Sequence, residues 1–150
     1  MNYDNTPNQT SSIPLPESYE WTNREDIQPE EVIKLRESVG WDGDTIETWQ
    51  NCLKDSVHVS AIRDENGELI AIGFLSGNAR HAVLADFDVN PNNQKEGVGK
   101  ALLEDTLRVA DELEIKYLYT SLANPEKYAG ILGELGFESK EGNLFRAKNY

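Results

Sequence analysis

The residues best suited to chemistry lie in one stretch: Asp86-Phe87-Asp88-Val89-Asn90-Pro91-Asn92-Asn93-Gln94-Lys95-Glu96-Gly97-Val98-Gly99-Lys100. An apolar run ends at two carboxylates, turn-forming Asn and Pro follow, and Gly97 and Gly99 open a segment with helical apolar spacing. Such a turn offers an anion backbone N–H groups that have no partner within the helix. Glycines let phosphate oxygens approach the backbone, and the helix dipole favours negative charge at that end. A diphosphate suits this electrostatics. Asp86 and Asp88 are two apart, hence on one strand face, and either could accept a proton directly or through water. Plainer accounts stand beside these: the glycines merely start a packed helix, or one aspartate merely satisfies loop amides before Pro91.

Spacing narrows the choice of phosphate motif. A dinucleotide fingerprint requires glycine at Leu102, and a P-loop requires glycine at Gln94 with Ser or Thr at Ala101; neither condition is met.

The elements that must hold this stretch are legible from periodicity. Pro29-Glu30-Glu31 followed by Val32, Ile33, Leu35, Arg36 and Val39 predicts a helix ended by Gly40. A second helix, capped by Asp44 or Thr45, runs to about Lys54 with Ile46, Trp49, Cys52 and Leu53 on one face. Val57 to Ile62, the turn Asp64-Glu65-Asn66-Gly67 and Leu69 to Leu75 predict a β-hairpin, and Ala82 to Val89 a further strand. Val98 to Leu113 reads as a long helix, Ile115 to Leu122 as a strand, Pro125 to Leu135 as a helix with Gly136 as its cap, and Leu144 to Ala147 as a short strand. The fold class is therefore α/β.

Composition bounds the partners. At 150 residues the chain is the size of one domain. With 14 Lys and Arg against 27 Asp and Glu its net charge is -13, which repels nucleic-acid backbones and anionic membrane surfaces. Cys52 is the only cysteine, and with His58 and His81 it is poor material for a zinc site, so no metal is expected. The opening Met1-Asn2-Tyr3-Asp4 lacks a secretory pattern, and no apolar run approaches the roughly 20 residues that span a bilayer, so a cytoplasmic location is expected. Residues 1–16, rich in Asn, Ser, Thr and Pro, are expected to form a flexible polar tail, and 17–150 a single domain.

Gln94-Lys95-Glu96-Gly97-Val98-Gly99, after a strand ending in Val89-Asn90-Pro91, resembles motif A of the GNAT superfamily of acetyl-CoA-dependent N-acyltransferases: Gln/Arg-x-x-Gly-x-Gly/Ala after Val-x-Pro. Asn124 followed by a helix closing at Gly136-Phe137 looks like that family's motif B, and the order of elements agrees from about residue 18 to 150. Leu35-Arg36-Glu37-Ser38-Val39-Gly40-Trp41 is similar to a Ser-Val-Gly-Trp turn of one bacterial and plant branch. The resemblance implies a mixed, mostly antiparallel sheet flanked by helices, with a V-shaped splay between its two middle strands. It also implies direct N-acetyl transfer from acetyl-CoA to an amine acceptor, with no acyl-enzyme intermediate and no metal.

Residue by residue, the resemblance assigns the CoA diphosphate to the turn Gln94, Lys95, Glu96, Gly97, Val98, Gly99 and Lys100. It sets Phe87, Asp88 and Val89 beside the thioester, and Asn124 near the pantetheine or the amine, unless Asn124 only caps the following helix. Lys95 and Lys100 add positive charge, whereas Glu96 opposes the cofactor unless it points to solvent.

An ammonium with a pKa of about 10.4 must lose a proton before it attacks, so Asp86 or Asp88 is the candidate base, and the Val89 amide can face the oxyanion. Many family members carry a Tyr four residues before the Gly-Phe pair as the general acid; here that position is Leu132, and Tyr128, one helical turn earlier, is the candidate substitute. Trp41, near Asp42, Asp44 and Glu47, suits a cationic acceptor, with Asp86 as its second contact. Trp49 reads instead as a core residue. Loss of the tyrosine also fits a CoA-binding module with weak or no transfer activity. The sequence leaves open the acceptor, the acyl chain and the oligomeric state, a homodimer included.

Overall fold

The computed structural model describes residues 11–121, 125–140 and 143–148. Pro29 in the first turn and the Gln28 amide donating to Glu31 Oε2 at 2.9 Å start α1 (Pro29–Ser38), and Gly40, at φ 88°, turns the chain after it. Thr45 caps α2 (Ile46–Asp55): its Oγ1 accepts from the Thr48 amide at 3.1 Å. These two helices bury Val32, Leu35, Trp49 and Leu53 in a cluster with Val59, Ala61, Ile72 and Phe74 of the sheet.

The strands are β1 (Glu20–Trp21), β2 (His58–Arg63), β3 (Leu69–Gly77), β4 (His81–Val89), β5 (Tyr117–Ser121), β6 (Glu138–Lys140) and β7 (Asn143–Ala147). They form one seven-stranded sheet in the order β1-β2-β3-β4-β5-β7-β6. Only β4 and β5 pair in parallel, because α3 (Val98–Glu112) connects them; every other pair is antiparallel. The sheet is therefore mixed and mostly antiparallel, as the sequence resemblance implied. α3 packs on the face opposite α1 and α2, where Leu103, Leu107 and Ala110 meet Ala82, Leu84 and Leu118, together with Leu132 of α4 (Pro125–Glu134). Each of these buried leucines contributes about 1.5–3 kcal/mol relative to exposure, so the two helical layers hold β4 from both sides.

The expected hairpin, the strand before Asn90 and the long helix after Gly97 all form. β1 and β6 are additions, at two and three residues too short to carry a readable alternation. Within the segment expected to be a polar tail, Ile13 O accepts from Trp21 Nε1 at 2.8 Å and Leu15 packs against the cluster of Ile62, Ile70, Val98 and Leu102. Among the described residues no helix is long and apolar enough to cross a membrane.

Candidate active site

The site grows from an irregularity in β4. Pairing runs Ala71↔Val89 and Ile72↔Asp88, then slips to Phe74↔Ala85, so β4 carries one residue more than β3 across this step. Asp86 takes up the excess at φ 55°, a left-handed conformation uncommon for a residue with a Cβ. Gly73 makes room opposite: a Cβ there would lie 2.6 Å from the Phe87 ring.

The bulge decides which side the acids face. Ala82 and Leu84 point to the α3 layer, and strict alternation would send Asp86 and Asp88 after them. With the extra residue, Phe87 joins the α3 side instead, and Asp88 stands opposite Ile72 on the side of α1 and α2. There both carboxylates meet one cation. Arg36 Nη1 lies 3.2 Å from Asp86 Oδ1 and 3.1 Å from Asp88 Oδ2. The guanidinium sits 5.5 Å from the Trp49 ring and 5.9 Å from the Trp41 ring, and its buried Nε has no hydrogen-bond partner among the described residues.

The acids are unequal. Asp88 is 3% exposed, and burial pushes its carboxyl above the ordinary value against the pull of Arg36, with the charge of Asp86 adding to the rise. The Asp86 side chain is 41% exposed and open to exchange partners. Trp41 is also open, at 47%, whereas Trp49 is buried and donates Nε1 to Gly43 O at 2.7 Å. Burial, then the charges of Asp86, Asp44 and Asp55, push the Cys52 thiol up, which keeps it protonated and a weak nucleophile.

Beyond Ala85, β4 has no partner on its β5 side among the described residues. The Asn90 amide donates to Ile70 O at 2.8 Å, so the amide of Val89, one residue earlier, points to the opposite, open edge. Gln94 Nε2 returns to Val89 O at 3.1 Å and ties the loop to the strand end. Next come Lys95 at φ 69° and Gly97 at φ 81° as the N-cap of α3, which supplies no side-chain oxygen to the first-turn amides. The first turn of α3 itself carries no acid, and a Cβ at Gly97 would meet nothing within 4 Å. The turn is an uncapped, open helix start beside the acid pair, fit to hold an anion.

Asp86, Asp88, Val89 and the 94–100 turn thus come together around the β4 end, with Trp41 across Arg36. Phe87 contributes its backbone to the open edge while its ring lies on the far side over Gly73. Asn124 and the Tyr128 side chain lie outside the described residues. Leu132 is fully buried in the core and holds no proton to give. Sequence reasoning missed Arg36 as the bridge, although a basic residue one turn before Gly40 on the inner side of α1 was a usable signal. It also missed Tyr19, whose hydroxyl donates to Glu96 and accepts from Asn93 Nδ2 at 2.8 Å.

Solved structures share this fold at low identity. A GNAT family acetyltransferase from Streptococcus pneumoniae aligns with a TM-score of 0.64 and 24% identity over 80% of this chain and 87% of that one. The GNAT family N-acetyltransferase YhbS from Escherichia coli, in complex with CoA, aligns at 0.68 and 14% over 93% and 85%. A GNAT family acetyltransferase from Staphylococcus aureus aligns at 0.71 and 14% over 87% and 99%. No curated protein matches in sequence. The family model described as "Acetyltransferase (GNAT) family" matches residues 16–137, most of the chain and all of the β4–α3 site, and the chain belongs to the GNAT family of acetyltransferases.

Proposed function

We propose that this acyltransferase is an N-acetyltransferase that passes the acetyl group of acetyl-CoA directly to a primary amine within a ternary complex. The observation that carries the reading is the continuity of one segment, in which a half-exposed carboxylate at the β4 bulge leads within a short loop to an uncapped helix start. Turn amides 94–100 hold the diphosphate, with Lys95 and Lys100 adding charge; the family resemblance gives Asn124 a role toward the pantetheine or the amine. The solved complex of the E. coli neighbour with CoA supports this ligand class.

Asp86 takes the proton of the acceptor ammonium, through water or directly, when the substrate cation displaces Arg36. The freed amine attacks the thioester carbonyl carbon; the C–N bond forms, the oxyanion faces the Val89 amide, and the C–S bond then breaks. CoA departs as thiolate, a tolerable leaving group because its thiol has a pKa of about 8.5, and the second proton of the attacking nitrogen, lost as the amide forms, passes to the sulfur through water or Tyr128. Trp41 and the acids near it favour a cationic acceptor. A high Cys52 pKa supports direct transfer over an acyl-cysteine. A cytoplasmic location goes with this reading.

Calorimetric titration with acetyl-CoA and with CoA at low salt, then an amine panel followed by thiol release, tests it. Binding of both and turnover of at least one amine is expected; a folded sample that binds neither overturns it. A second reading, a CoA-binding sensor or interaction module with weak or no turnover, is favoured by buried Leu132 at the family's tyrosine position. Tight CoA binding with no turnover on any amine would select that one.

A further inference from the structure

The acidic residue of the diphosphate turn has a partner that the transfer chemistry does not use. Glu96 lies between Lys95 and Lys100 in sequence, directly before the N-cap Gly97, where a free carboxylate would repel a bound diphosphate. Its Oε2 instead accepts from the Tyr19 hydroxyl, which comes from a segment 77 residues away. The same hydroxyl accepts from Asn93 Nδ2 at 2.8 Å, and Asn93 closes the short turn Pro91–Asn93 through its amide on Asn90 O at 2.8 Å. Tyr19 is itself fixed. Its amide donates to Pro16 O at 3.0 Å, Trp21 two residues on donates to Ile13 O, and Leu15, Tyr19 and Trp21 pack against the cluster that includes Val98 and Leu102 of α3. The hydrogen bond to Glu96 raises the Tyr19 pKa, so the hydroxyl remains a donor at neutral pH.

We propose that Tyr19 is a positioning residue of the diphosphate turn, holding the Glu96 carboxylate against the N-terminal segment and anchoring Asn93 so that the amides of α3 face the cofactor with the opposing charge tied to one side. The proposal rests on the reading of turn 94–100 as the CoA site. Tyr19 acts through its hydrogen bonds to Glu96 and Asn93.

Calorimetric CoA affinity at low salt, with KM and kcat where an amine substrate is in hand, is measured for wild type, Tyr19→Phe, Glu96→Gln and the double variant. Tyr19→Phe keeps the ring and its packing, so its melting temperature should stay near that of wild type. Its CoA affinity should fall about fivefold at low salt, the loss sitting in KM for acetyl-CoA, and shrink at high salt as the freed carboxylate is screened. Adding Glu96→Gln should restore affinity to within about twofold of wild type, a rescue that a packing role for Tyr19 would not produce. Equal affinity in wild type and Tyr19→Phe, or a double variant as weak as Tyr19→Phe, overturns the role of Tyr19 and leaves the CoA site standing. A wild type that binds no CoA overturns the reading of the turn and the proposal with it.

Discussion

Arg36 Nη1 lies 3.1 Å from Asp88 Oδ2, and the same nitrogen reaches Asp86 Oδ1, so one cation from α1 holds both acids of the β4 end. Breaking a buried pair from one side is costly because the remaining charge is stranded. Arg36→Met should therefore lower unfolding free energy by about 3 kcal/mol at pH 7, measured by urea denaturation.

The pH dependence of that loss has a defined sign. The folded pKa of Asp88 is raised above 3.8, so the folded state binds more protons than the unfolded state just above that value, and stability falls as pH rises through the window. Removing Arg36 raises the carboxyl further. The Arg36→Met deficit should shrink from pH 7 to pH 5, and Asp88→Asn added to it should recover much of the loss; a deficit equal at both pH values counts against a stranded Asp88.

Asp105 of α3 should behave oppositely. Burial disfavours its charge, but hydrogen bonds from His58 Nε2 at 2.8 Å and Ser60 Oγ at 2.6 Å, with Arg108 Nη2 at 2.9 Å, outweigh burial and hold the carboxyl well below its ordinary value. A depressed pKa means stability that is full above about 3.8 and is lost as pH falls toward the folded value. Asp105→Asn should cost about 3 kcal/mol at pH 7, and the gap to wild type should narrow below pH 3.8 in urea titrations.

Gly73→Ala tests the bulge. The new Cβ would sit 2.6 Å from Phe87 Cε1, and moving that ring disturbs the backbone that sets Asp86 and Asp88. A loss of about 2 kcal/mol, together with weaker acetyl-CoA binding, is expected. Retention of both stability and binding would mean that the bulge absorbs the methyl group.

Gly97→Val separates stability from binding. Space for a side chain exists, but φ 81° strains a β-branched residue by about 1–2 kcal/mol. Because the new side chain would occupy the open approach to the first-turn amides, CoA affinity should fall at least tenfold in calorimetry of the folded variant. Unchanged affinity would remove this turn as the diphosphate site.

For the proposed base, Asp86→Asn should reduce kcat about a hundredfold with CoA affinity retained. An unchanged rate would remove Asp86 from the mechanism.

Much of the fold and of the site is legible in the order of residues. The turn from Asn90 to Gly99, the helices from Pro29 and Val98 and the hairpin around Asp64–Gly67 follow from backbone chemistry and periodicities that repeat within a few residues. The resemblance to the family's phosphate turn is likewise local. β1 and β6 escaped because a pairing of two or three residues is specified by its neighbour rather than by its own pattern.

Sequence alone therefore determined the longer elements, the candidate anion-binding turn and the candidacy of Asp86 and Asp88, since each depends on residues adjacent in the chain. Only the tertiary structure decided which side those acids face and what they meet. A one-residue bulge, made room for by Gly73 beneath Phe87, reverses the phase of β4 and turns them from the α3 layer to Arg36. Glu96 likewise finds Tyr19 across 77 residues. Contacts of that separation arise from how the layers pack, which no local spacing encodes.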